Sequence, residues 1–205
     1  MKDKELQDEL VSIRNLMERS SKFISLSGLS GILAGVYALA GAGVAYYITN
    51  DFKADGSLSD FFFLAKTVPY LIGIALTVLV ASLLTGLVLT YQKAKRKGQS
   101  VWGKSSKALL FHMAAPLVTG GLLIIIFVYR GYFGIVAPAS LIFYGLSLIS
   151  ASNFTFTDVK YLGLIEIILG LIAACFPGYG LLFWAIGFGV LHIVYGIVMY
   201  LKYDR

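Results

Sequence analysis

Charge is scarce in this sequence. Only 14% of its 205 residues are Asp, Glu, Lys or Arg, where an ordinary soluble domain carries about 25%. Cysteine is nearly absent: Cys175 stands alone. One cysteine excludes a disulfide within the chain and any thiolate metal cluster, so no metal or cofactor is expected. The sequence has two histidines and four prolines. HExxH, GxSxG, a P-loop and a GxGxxG turn are all missing, as are a run of gating arginines and a TVGYG-like filter. An enzyme is therefore disfavoured, although Glu–His chemistry stays open.

What fills the chain instead is apolar. Hydrophobic residues make up 58%, and several runs reach the roughly 20 residues that cross a bilayer core of about 30 Å. Six spans are expected, at about 24–49, 68–91, 108–129, 132–152, 159–176 and 180–201. The fold class is all-α, a six-helix transmembrane bundle occupying residues 24–205. Residues 1–23 precede it as a mixed-charge segment. A signal peptide would place a short basic stretch before a short apolar core. Here the first apolar run is full length and reads as an uncleaved span.

Orientation follows from lysine and arginine. With the N-terminus inside, fourteen of them fall in inner segments and three, Lys53, Lys66 and Arg130, in outer ones. Both termini are expected in the cytoplasm, and the composition suits a bacterial inner-membrane protein. The net charge of +6 is then a topology signal, and no nucleic-acid partner is implied. Residues 50–67 form the one sizeable outer loop, and 92–107 a basic inner loop facing anionic headgroups. The links near Gly131 and at PGYG, 177–180, are tight, which makes spans three and four, and five and six, antiparallel neighbours.

Within the spans, polar residues stand out. Glu166 sits in the middle of YLGLIEIILG. Its helix face carries Gly163, Gly170 and Ala173 or Ala174, a small-residue stripe of the kind that marks close helix approach. His192 lies in the sixth span on a face with Ala185, Gly189 and Gly196. Glu166 is thirteen residues before Tyr179 and His192 thirteen after it. In a hairpin turning near Tyr179 the two are level. They are therefore expected within direct or one-water reach, about 10 Å from the inner end at 1.5 Å per residue. A charge at such depth costs on the order of 3 kcal/mol or more. Two readings follow: a hydrogen bond that pins the hairpin, or a proton- or solute-binding site. Tyr195, one turn from His192, is a candidate member. So is Tyr144, on a stripe with Ser140 and Ser147 that either lines a cavity or binds helices together.

Three further features complete the reading. Ser27, Gly31 and Gly35 form a GxxxG-type stripe in the first span, for packing within the chain or for a homo-oligomer. Leu6, Leu10, Ile13 and Met17 form an amphipathic stripe suited to the membrane surface, a second copy or a cytoplasmic partner. Pro116 and Pro138 are expected to kink spans three and four. The functional candidates are a small transporter or channel built on Glu166 and His192, and a non-catalytic regulatory or assembly protein acting through its N-terminal helix or an oligomer interface.

Overall fold

The computed structural model describes residues 27–54, 60–96 and 102–204. The amphipathic segment 1–23 lies outside them. Six helices follow one another: α1 (Gly28–Ala54), α2 (Asp60–Arg96), α3 (Lys104–Tyr129), α4 (Phe133–Ser152), α5 (Asp158–Cys175) and α6 (Gly180–Asp204). Among the described residues there is no strand. An apolar chain in hydrocarbon must satisfy its own backbone, and helices do so within one segment.

Five of the six helices are long and apolar enough to cross a membrane. Their length and composition are those of an integral membrane protein. The exception is α5, which has 18 residues and holds Asp158, Lys160 and Glu166 among them. Its apolar residues Ile165, Ile168 and Leu171 are exposed, while Val159, Leu162, Gly163, Glu166, Gly170 and Ala173 are buried. Glu166 thus lies on the protein-facing stripe, on the side the small residues mark. Ala173 shares that stripe and Ala174 is exposed.

Helices pack most closely in the pairs α4–α5, α3–α4, α1–α2 and α1–α6. Glycine makes two of these crossings tight. A methyl group on Gly35 would stand 2.6 Å from the carbonyl oxygen of Gly189 in α6. One on Gly163 would stand 2.7 Å from the carbonyl oxygen of Gly145 in α4. Backbones this close exchange dispersion along their length, which is the main attraction left between helices in lipid. Helices α2 and α3 lie on the flanks, with apolar side chains such as Leu83, Leu87, Val118 and Ile125 exposed. Such surface suits lipid.

Four details differ from the reading of the sequence. The outer loop is shorter, because α1 continues to Ala54 and α2 begins at Asp60. The basic loop shortens likewise, since α2 runs to Arg96 and α3 starts at Lys104. Helices continue past the bilayer boundary when nothing breaks them, and charged residues there stay in water. The small-residue faces of α5 and α6 do not meet. Gly163 and Gly170 pack on α4, Gly31 and Gly35 on α6, and Gly189 and Gly196 on α1. A small stripe shows that a backbone comes near without saying which one. Finally, Pro138 is no mid-span kink. It sits in the first turn of the regular part of α4, after a 3₁₀ turn at Phe133–Ile135, where a missing N–H leaves no helical bond unmade. Pro116 does lie inside α3.

A candidate proton site inside the bundle

The hairpin register holds from end to end. At its basic end, Lys202 of α6 donates to both oxygens of Asp158 at 3.1 and 2.9 Å, and the Tyr203 hydroxyl donates to Oδ2 at 2.6 Å. Two turns further along α5, about 12 Å at 1.5 Å per residue, stands Glu166. Its Oε1 is 3.6 Å from Nδ1 of His192. The two polar residues that the hairpin levels are therefore neighbours in space.

The local backbone of α6 explains how they meet. Residues Ala185–Leu191 form a π-helical turn, wider than the α-helix on either side. Gly187 lies in that turn beside the carboxyl. A methyl group on it would be 2.6 Å from Oε2 of Glu166 and 3.2 Å from Leu169. Leu141 would be closer still, at 2.4 Å, so the bare backbone of Gly187 makes room for both Leu141 and the Glu166 carboxyl. Such widened turns are frequent at functional sites.

Both nitrogens of His192 are engaged. Nδ1 is 3.0 Å from the carbonyl oxygen of Gly187. A carbonyl only accepts, so Nδ1 carries a hydrogen. Nε2 is 2.7 Å from the hydroxyl of Tyr144, and in the neutral ring the hydroxyl donates to it. Aromatic rings close the surroundings: Tyr144 and Phe188 lie 5.1 Å apart between centroids, and Phe188 stacks at 5.9 Å on His192. Trp184 continues the row at 5.3 Å from Phe188.

Glu166 is different. It is 0% exposed, and neither of its carboxyl oxygens has a hydrogen-bond partner among the described residues. The hydrogen on His192 Nδ1, a nitrogen 3.6 Å from Oε1, is donated to Gly187. Buried polar groups are nearly always satisfied, and an orphaned one calls for a specific explanation.

The remaining polar candidates are placed as follows. Tyr195 packs toward the basic end, against a cluster of Leu148, Phe156, Val159, Leu162 and Met199. Ser140 donates to the carbonyl of Ala137 at 2.8 Å, one turn back in its own helix. Ser147 donates to the carbonyl of Met113 at 3.1 Å and so joins α4 to α3. Of that stripe only Tyr144 reaches the site. Ser27 lies at the basic end, where Asp204 accepts from its hydroxyl at 3.4 Å and from the backbone N–H of Gly28 at 2.7 Å. Lys93 of α2 completes this clasp by pairing with Asp204. Lys93 therefore has a protein partner and is more than a headgroup contact. Cys175 is exposed.

Sequence reasoning missed Gly187 and Asp204. Gly187 is one glycine among 22, and its role depends on a π turn that helical periodicity does not reveal. Asp204 could have been suspected, as the acidic residue that follows a lysine and a tyrosine at the end of the last span. No family model, curated protein or solved structure matches the chain.

Proposed function

We propose that this integral membrane protein is a small transporter or channel in which Glu166 binds a proton inside the bundle. His192 and Tyr144 form the polar wall of that site. The observation that carries the reading is the fully buried carboxyl with no hydrogen-bond partner on either oxygen among the described residues. An ionised carboxylate so placed loses its hydration with nothing in exchange, a penalty of several kcal/mol. A proton on Glu166 removes the charge. Ionisable residues within a membrane are functional sites by default. We take α5 to cross the membrane with the other five, because its exposed face is apolar and its polar residue is turned inward. The conformation is then an occluded one, and exchange of the proton with water requires the bundle to open. Both termini face the cytoplasm in this reading, as the lysine and arginine distribution requires.

The test uses the full chain in proteoliposomes that enclose a pH-sensitive dye. Under an imposed pH gradient, the wild type should dissipate the gradient faster than Glu166→Gln and faster than empty vesicles. Equal rates in all three would refute proton movement through this site. They would favour the second reading, which has its own support in the complete seal over Glu166. In that reading the bundle is a dry scaffold for a regulatory or assembly role, working through residues 1–23 or through contact with a second copy.

A further inference from the structure

Building on the proton-site reading above, we propose that His192 converts the charge state of Glu166 into a change in the backbone of α6. One hydrogen, on Nδ1 of His192, has two acceptors in reach. It now serves the carbonyl of Gly187 at 3.0 Å, while Oε1 of Glu166 lies 3.6 Å from the same nitrogen. A single N–H satisfies one of them well. With a proton on Glu166, the amide carbonyl is the better acceptor. When that proton leaves to water, the carboxylate becomes the stronger acceptor, because hydrogen bonds to ionised groups are about twice as strong as neutral ones. A small tilt of the ring then transfers the hydrogen bond from Gly187 to Glu166.

The backbone feels this exchange because Gly187 lies inside the π turn Ala185–Leu191. Its carbonyl, released by the ring, is buried and needs a donor. The donor at hand is the helix itself, as the wide turn tightens toward α-helical spacing. Tightening removes the extra residue from the turn, and one residue corresponds to about 100° of helix rotation. Gly189 lies in the same turn and packs against α1, where Gly35 would meet its carbonyl. The α1–α6 crossing must therefore readjust with the proton.

The groups facing the ring from each packed helix are few. From α5 comes Glu166 and from α4 the Tyr144 hydroxyl, on Nε2. From α1, Gly31 lies against the backbone of His192 and Gly196, and Gly35 against Gly189 and Ile193; neither titrates. On α6 itself Tyr195 lies one turn on, in the apolar cluster. Among the described residues, Glu166 is thus the one carboxyl positioned to compete for Nδ1–H.

The experiment uses the full chain in lipid nanodiscs, with ¹³C in glutamate carboxyls and ¹⁵N in histidine rings. Spectra and amide exchange are followed across about pH 5 to 9. The spectrum of Glu166→Gln assigns the Glu166 carboxyl by loss of its signal, and Glu166→Asp serves the same purpose if the glutamine variant does not fold. His112→Gln separates the two rings. The proposal expects the His192 Nδ1 signal and the exchange of amides 185–191 to shift over the interval in which the Glu166 carboxyl titrates. A carboxyl that titrates while His192 and those amides stay constant overturns the switch and leaves the proton site standing. A carboxyl that does not titrate at all overturns both.

Discussion

Two carboxylate regions join α6 to its neighbours, and they are built in opposite ways. At the basic end, Asp158 accepts from Lys202 and Tyr203, and Asp204 is shared by Ser27, Gly28 and Lys93. Each of these carboxylates has its donors. In the middle of the bundle, Glu166 has none among the described residues, although the same hairpin register supplies its neighbour. A carboxylate retained to hold helices together is expected to look like Asp204. Glu166 looks instead like a group that carries a proton, and that would compete, once ionised, for the Nδ1 hydrogen His192 now donates to Gly187. The difference argues for a function at the second site and for stability at the first.

Substitutions can break this contrast. The largest effect is expected from Asp204→Asn, which removes the carboxylate charge from the Lys93–Asp204 ion pair and weakens the cap on α1. Both side chains are mostly buried, and breaking such a pair costs about 3 kcal/mol. A clear fall in the unfolding midpoint in detergent would show it, whereas an unchanged midpoint would remove the clasp from the account. Gly187→Ala comes next. Its methyl group would crowd Glu166 and Leu169, and overpacking of this kind costs about 1–3 kcal/mol. Proton binding at Glu166 should be disturbed along with stability. A variant with normal stability and normal titration would mean that the absent side chain is irrelevant to the site.

A smaller effect is expected from Asp158→Asn, and it carries a pH signature. The Tyr203 hydroxyl chiefly, with Lys202, holds the Asp158 carboxyl below its ordinary range, against an opposing contribution from partial burial. A carboxylate with a lowered folded-state pKa stabilises the fold above its unfolded-state value. That contribution is lost as pH falls through the folded-state value, so the window lies from about pH 4 downward. Wild type should therefore lose stability in that acid range more steeply than Asp158→Asn, and parallel curves would discard the assignment.

The sequence already contained much of this picture, and the missing parts have physical causes. Long apolar runs marked all six helices, because hydrocarbon demands unbroken helical stretches. Glu166 and His192 could be paired in advance because a short turn fixes which residues of a hairpin are level. The helix neighbours were less accessible. The glycines of α5 and α6 indicated close approach, yet their partners proved to be α4 and α1. Lys93 and Asp204 lie 111 positions apart, and no local rule connects them. Pro138 looked like a kink because the sequence did not show the 3₁₀ turn that delays the regular helix to Val136.

The central claim is that Glu166 binds a proton within the folded bundle. The most direct measurement is an infrared difference spectrum between wild type and Glu166→Gln, recorded on the full chain in bilayers over a series of pH values. The account predicts a protonated-carboxyl stretch that is present in wild type, absent in the variant, and lost reversibly as pH rises while the fold persists. A carboxylate signature for Glu166 at every pH at which the protein is folded would contradict it.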